Sequence, residues 1–146
     1  MSFSTERESI YKWFQDNWNL SNGKIAWQNQ RFDQPENELF LSFQILNFNS
    51  AQRSIGNQQK LYRNFGEVQV DIYIPQNVGV AIGRDRADKV INIFRNKVLT
   101  TSDNNTIQFR VPILRQLAPN EQRALNLEDI LFRYLIRCPF YRDEVV

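Results

Sequence analysis

The chain has 146 residues, 42% of them hydrophobic and 23% charged, and its 18 Lys and Arg against 16 Asp and Glu give a formal net charge of +2. It has no histidine and a single cysteine, Cys138, which excludes imidazole triads, imidazole metal sites, an internal disulfide and a thiolate zinc cage. The length is typical of one domain, so we expect a single domain over 1–146. The longest mostly apolar stretch, Leu39–Leu46, is far shorter than the roughly 20 residues that span a bilayer, and we expect a soluble intracellular protein without a secretory signal.

The first half of the chain predicts one helix and three strands. A capping-box motif, Thr5–Glu8, precedes apolar residues at helical spacing and predicts a helix from about 5 to 18. Strands are predicted over Lys24–Gln28, Glu38–Phe48 and Lys60–Ile74, the last two because apolar residues alternate there. Gly66 interrupts the third strand, which indicates a bulge or a close approach of another backbone.

The second half of the chain predicts one helix and two strands. The helix covers Ala81–Val98, and the strands cover Thr106–Val111 and Leu127–Cys138, with a loop at Gln116–Asn126 between them. Leu127–Cys138 could instead be a helix, but apolar residues at every second position favour a strand. In the first half, the polar stretch Asn49–Gln59 joins two strands into a long projecting hairpin. The order α-β-β-β-α-β-β is typical of an α+β domain with a mostly antiparallel, mixed sheet and two α-helices packed on one face.

The sequence offers little for catalysis. It has neither a Gly-x-Ser-x-Gly nucleophile motif nor a phosphate-binding glycine-rich loop. Cys138 ends an apolar strand and is expected to be a buried small hydrophobe. Solvated faces explain the carboxylates that are close in sequence, which are Glu6 and Glu8, Asp85 and Asp88, Glu128 and Asp129, and Asp143 and Glu144. We therefore expect that the protein is not an enzyme and that it holds no metal or cofactor. An enzyme would need a concave pocket that holds such carboxylates.

The charge is unevenly distributed along the chain. Residues 1–80 hold 7 basic and 8 acidic side chains, whereas residues 81–146 hold 11 basic and 8 acidic ones. A small nucleic-acid-binding module that uses the basic C-terminal half is therefore an alternative function. Its affinity for DNA would weaken steeply as salt rises.

Four segments resemble one protein family. Tyr62–Gly79, with the sequence YRNFGEVQVDIYIPQNVG, resembles the R-x-x-G-x-x-x-V-x-I-[FY]-x-P-x-x-x-G segment of phage tail terminator-like proteins. Trp27–Asn29 is similar to the family's W-x-N strand, Arg86–Val90 to its A-D-x-[VI] helix, and Cys138–Glu144 to its P-F…D-E terminus. The resemblance covers nearly the whole chain in the right order. The long Gln116–Asn126 connection departs from the family pattern and indicates a different partner surface.

The resemblance implies a structural protein of long-tailed phages or prophages, a minor tail or tail completion protein. Tail terminators form a ring, typically a hexamer, on the finished tail tube, where they stop the addition of tube protein and offer the surface that joins the head. The implied partners are further copies of the chain, the tail tube protein and the head–tail connector protein. DNA is implied only as the passing genome, no membrane is involved, and the protein would lie in the virion tail after assembly in the host cytoplasm.

The contacts of such a ring would come from edges and loops. Our hypothesis is that the hairpin tip Asn49–Lys60 and the loop Gln116–Asn126 carry them; the alternative is that both are ordinary mobile loops. The candidate contact residues are Arg53, Ile55, Gln58, Lys60, Tyr62, Arg63, Phe65, Gln116, Leu117, Asn120 and Arg123.

Overall fold

The predicted order of helices and strands recurs in the structure, a computed structural model that describes residues 3–33, 38–53, 60–75, 81–116 and 131–145. The elements are α1 (Phe3–Asn17), a 3₁₀ turn (Leu20–Asn22), β1 (Lys24–Trp27), β2 (Phe40–Gln52), β3 (Leu61–Pro75), α2 (Ala81–Phe94), β4 (Val98–Thr100), β5 (Thr106–Phe109), β6 (Ile113–Gln116) and β7 (Leu131–Val145). The α+β class is confirmed, and two short strands, β4 and β6, are added to the predicted set.

The strands form one seven-stranded sheet in the order β1-β2-β3-β7-β5-β4, with β6 paired to β7 beside β5. β1 runs parallel to β2, and the other described pairs are antiparallel. β3 and β7 pair along their whole length, from Leu61 opposite Val145 to Pro75 opposite Leu131. The sheet is therefore mixed and mostly antiparallel, as predicted.

Both helices cover one face of this sheet, where alternate residues of the central strands form the hydrophobic core. Ile72 and Tyr134 are direct neighbours across β3 and β7, and each is at most 1% exposed. The ring of Phe14 in α1 lies 4.8 Å from that of Phe43 in β2 and 5.7 Å from that of Phe94 in α2, measured between centroids. Burying a large apolar side chain contributes about 1.5–3 kcal/mol. These aromatic contacts therefore join both helices to the sheet.

Each helix differs from the prediction at one end. α1 begins before Thr5, whose Oγ1 donates a hydrogen bond to Asp103 Oδ2 at 2.9 Å, so the predicted cap at Thr5 is wrong. α2 ends at Phe94, because Asn96 takes a left-handed φ of 52° and turns the chain into β4. Val98, predicted on the buried stripe of the helix, is 55% exposed in β4. Apolar residues at helical spacing continue in the sequence beyond Phe94, so the helix was predicted to end too late.

A broken strand runs beside β7. β5 and β6 both pair with β7, and the backbone N–H of Arg110 between them donates to the carbonyl of Pro139 at 2.9 Å. The predicted strand ends at Val111, but the following Pro112 only interrupts the pairing, and Gln116, predicted to begin a loop, ends β6. β7 continues to Val145, beyond its predicted end. Pro139 is tolerated because it lies at the interruption, where the ladder loses least from a missing N–H.

The predicted irregularity at Gly66 is confirmed. The register of β2 against β3 shifts between Asn47 and Ser50, so β2 carries an extra residue there. A Cβ at Gly66 would lie 2.6 Å from the carbonyl oxygen of Leu46 and 2.7 Å from Cζ of Phe140. The bulge is thus on the partner strand, and glycine is required at this point by close approach.

We expect the substitution Gly66→Ala to destabilise the protein by about 1–3 kcal/mol, because a backbone oxygen and a buried ring must both move. The free energy of unfolding in urea measures the effect. The control is Asn92→Ala on the exposed side of α2, which should stay within about 0.5 kcal/mol of the wild type. Equal stability of the two variants would contradict the close approach.

Candidate assembly surface

The described part of the hairpin, which we call the stem, has β7 as a third strand, and β5 pairs with β7 as far as Asp143. β2 and β3 stay paired as far as Gln52 opposite Tyr62, and β7 accompanies β3 to the same level, with Glu144 opposite Tyr62. The backbone N–H of Arg53 donates to the carbonyl of Leu61 at 2.8 Å and closes the stem at the end nearest the tip. A two-stranded hairpin is only marginally stable by itself. The pairing with β7 therefore stiffens the stem.

One face of the stem carries an arginine–aromatic patch, which we call the stem patch: Arg53, Arg63, Phe65, Arg110 and Tyr141. Cζ of Arg53 lies 5.6 Å from the ring centroid of Phe65. Cζ of Arg63 lies 4.0 Å from the ring centroid of Tyr141, and that of Arg110 lies 5.3 Å from it. Such cation–π contacts contribute about 0.5–1 kcal/mol each at exposed sites. The structure thus brings together three predicted contact residues and adds Arg110 and Tyr141.

Arg63 is also held by a carboxylate. Its Nε and Nη2 donate to the two oxygens of Asp143 at 2.7 and 2.9 Å, and this hydrogen bonding raises the pKa of Arg63. The side chains of Arg63 and Asp143 remain 27% and 31% exposed, so the pair fixes the position of the guanidinium more than it stabilises the fold. Alternation along β7 places Tyr141 and Asp143 on one face, but only the register of β7 against β3 shows that they meet Arg63.

The other predicted contact residues are distributed as follows. Lys60 is exposed beside the stem, Tyr62 alternates to the face opposite Arg63, and Gln116 belongs to β6. Outside the described residues lie Ile55, Gln58, Leu117, Asn120 and Arg123.

The opposite face of the stem covers a buried ionic cluster, which we call the stem cluster: Glu6, Asn47, Arg142 and Glu144. Arg142 is 0% exposed, and its Nε and Nη1 donate to Glu6 Oε1 at 3.1 Å and to Glu144 Oε2 at 3.0 Å. Nδ2 of Asn47 donates to the second oxygen of Glu6 at 2.9 Å. The cluster ties the first turn of α1 to β7 and to the bulge in β2.

Two carboxylates predicted to lie on solvated faces belong to this cluster. Glu6 is 1% exposed and Glu144 is 6% exposed, so the prediction is wrong for both. The physical reason is pairing, because a buried guanidinium is tolerated only when opposite charges accompany it. Spacing along α1 and β7 gives no sign that these distant carboxylates share one arginine.

The other arginines of β7 also have acidic partners. Nη2 of Arg133 lies 3.0 Å from Asp71, and Nη2 of Arg137 lies 3.0 Å from Glu67. Asp71 and Glu67 are 4% and 3% exposed. A phosphate would have to compete with these carboxylates for the arginines. The arrangement therefore weakens the nucleic-acid alternative, which depends on cations that can neutralise phosphates.

Cys138 is 0% exposed, and burial raises the pKa of its thiol, which confirms a buried small hydrophobe. Over the ranges that the structure describes, no three His, Cys, Asp or Glu side chains lie close enough together to hold a metal ion. None of the described helices combines the length and the apolarity that a membrane crossing requires.

The fold and the stem define an α+β domain whose mixed sheet carries an arginine–aromatic patch on one face of the stem. A family model of the phage tail terminator protein matches residues 8–126, and the chain belongs to this family of structural phage tail proteins. One solved structure is 18% identical to this chain in sequence. The match covers 99% of this chain and 96% of the chain in that structure with a TM-score of 0.67, so the two share a fold. No curated protein matches the sequence. The predicted resemblance to phage tail terminator-like proteins is confirmed, and the match includes Trp27–Asn29, Tyr62–Gly79 and Arg86–Val90 but not Cys138–Glu144.

The substitution Arg142→Met should lower the free energy of unfolding by about 3–5 kcal/mol, because it leaves Glu6 and Glu144 buried without a cation. The matched control, Arg63→Met, breaks a partly exposed pair and should cost less than about 1 kcal/mol. Urea unfolding at neutral pH measures both variants. Similar losses for the two would show that Arg142 is no more important to the fold than a surface arginine.

Asp71 predicts a dependence of stability on pH. Burial raises the pKa of its carboxyl, and the hydrogen bond from Arg133 only partly opposes this. A carboxyl with a higher pKa in the folded than in the unfolded state binds protons more readily when folded, so its contribution to stability falls as pH rises from the ordinary to the raised pKa. Asp71→Asn should remove this contribution, whereas Asp88→Asn on exposed α2 should keep it. Unfolding free energies across the acidic range measure the two slopes, and identical slopes would contradict the burial effect.

Proposed function

We propose that this protein caps the finished tail tube as a ring, typically a hexamer, ends the addition of tube protein and provides the surface that joins the head. The observation that carries the proposal is the match of residues 8–126 to phage tail terminator proteins. The stem supports it, because a cap of this kind acts through the shape and contacts of its surface.

The proposed cap uses the stem as a rigid contact. Arg53 and Lys60 are exposed on either side of residues 54–59. Beneath them, the ion pair between Glu6 and Arg142 fixes the stem to α1. A contact element that is already ordered loses less conformational entropy on docking, which favours binding. In this proposal the hairpin tip Asn49–Lys60 and the loop Gln116–Asn126 carry the contacts with tube and neighbours.

The proposed partners are further copies in the ring, the tail tube protein and the head–tail connector protein. The whole chain acts as one terminator domain, in the virion tail after assembly in the host cytoplasm. DNA meets it only as the passing genome. Binding of DNA that weakens steeply with salt would instead favour the nucleic-acid alternative.

Assembly of the tail tube protein tests the proposal. The tube protein of the same phage is polymerised with and without this protein, and tube lengths and ends are imaged in negative stain. We expect shorter tubes that end in a ring when the protein is present. Tubes of unchanged length with bare ends would contradict the proposal.

The hairpin assignment predicts a separable defect. Deleting Ser54–Asn57 together with Arg53→Glu and Lys60→Glu should reduce capping by about tenfold or more, because central contact residues dominate interface energies. The unfolding midpoint should be almost unchanged, since Arg53 and Lys60 are exposed. The double charge reversal Arg84→Glu with Lys89→Glu, at two exposed positions of α2, makes the same change in net charge and is the control. If the deleted protein caps tubes as well as the control, the hairpin does not make the contact.

A further inference from the structure

The margin of the sheet at β6 is stepped. β4 pairs with β5, whereas β6 pairs with β7 and no described strand lies on its other side. Ile113 and Leu114 of β6 are 54% and 43% exposed, and Val111 just before them is 60% exposed. β4, which borders the step, exposes 55% of Val98. A short apolar edge strand of this kind is a template for a further strand.

The opposite margin has a second open edge. β1 pairs with β2 only as far as Phe43, and no described strand covers β2 beyond that point. There the side-chain oxygen of Gln28 accepts the backbone N–H of Ile45 at 3.1 Å, in the place of a neighbouring strand. A groove of about 390 Å³ runs along this edge, lined by Phe3, Ser4, Arg7, Gln28, Ile45 and Asn47.

The exposed large apolar side chains of the described residues are concentrated at these two margins. Val98, Val111, Ile113 and Leu114 lie at or beside the β6 step. Phe3, 43% exposed, lines the groove at β2, and Phe48, 58% exposed, lies in the β2 bulge. Leu20, 65% exposed, lies apart from them in the 3₁₀ turn before β1. Isolated apolar residues are normal on a surface, but their concentration along two edges that no described strand covers marks interaction sites.

We propose that neighbouring copies of the chain join edge to edge, with β6 of one copy docking along the outer edge of β2 of the next. The proposal rests on the ring of the proposed function and names the contact within it. Backbone groups of the two open edges would pair, and Ile113 and Leu114 would pack beside Phe3 and Phe48.

A second copy is the occupant that the structure favours. The same chain presents two different open edges, each with exposed apolar side chains, at opposite margins of one sheet. Two different complementary surfaces on one chain make a heterologous contact, which produces a ring when the rotation closes. Pairing of β6 with β6 would instead give an isologous dimer with both β2 edges left open.

Cysteine cross-linking tests the pairing, because native Cys138 is buried and does not compete. Two chains of distinguishable size, one Phe48→Cys and the other Ile113→Cys, are mixed with wild-type tail tubes and treated with a short bis-maleimide. We expect the mixed dimer to form at least about tenfold more than in controls that combine either variant with Asn92→Cys of α2. Yields equal to the controls, or dimers of Ile113→Cys with itself alone, would overturn the proposal.

A second variant tests the apolar contact. Ile113→Lys with Leu114→Lys should raise the concentration needed for ring formation by about tenfold or more, because lysine protects an edge strand from pairing. Since both positions are exposed, thermal unfolding should match that of Asn92→Lys. Rings formed as readily as in that control would contradict the edge contact.

The failures are distinguishable. If the wild-type protein caps tubes and forms rings, but the mixed variants cross-link no more than the controls, the edge contact is overturned and the proposed function stands. Wild-type protein that neither caps tubes nor forms rings overturns the proposed function. In that case cross-linking between Phe48→Cys and Ile113→Cys still decides whether copies meet at these edges.

Discussion

The full-length pairing of β3 with β7 is the constraint on which the rest of the structure depends. It places Ile72 beside Tyr134 on the helix-covered face and Arg63 beside Asp143 on the other. The alternation of a strand means that a slip by one residue would exchange the two faces of β7. Arg142 would then leave Glu6, and the aromatic ring of Tyr141 would enter the core. One register therefore fixes both the core and the charge pairs.

The same pairing explains why the stem is stiff. β7 stays paired with β3 to the end of the described stem, and the buried Arg142 of β7 donates a hydrogen bond to Glu6 of α1. Removing one member of a buried ionic cluster leaves the others without compensation, so the arrangement strongly disfavours partly separated states. Local pairing and long-range charge thus act together on the segment that carries the proposed contacts.

The sequence supports the predictions that depend on local periodicity. Alternation identified β2 and β3, and the prediction that Gly66 marks an irregularity is confirmed. β4 was missed because the predicted helix was extended to Val98, the first residue of that strand, and β6 because its predicted neighbour was ended at Val111. The stem cluster was beyond prediction for another reason. Its members Glu6 and Arg142 are far apart in sequence, and their contact depends on strand register and helix packing, which no local pattern encodes.

Two parts of this protein depart from the usual rule that charged side chains are exposed and apolar side chains are buried. The charges of Glu6 and Arg142 are buried at the stem, whereas Ile113 and Leu114 are exposed at the margin. Burying charge is tolerated because the cluster is paired within the chain, so it specifies geometry before any partner arrives. Exposing apolar groups is unfavourable for an isolated chain, and docking of a strand would remove that exposure. In a single copy the paired charges hold the stem in place. The margin at β6 is where association with another copy would remove exposed apolar surface.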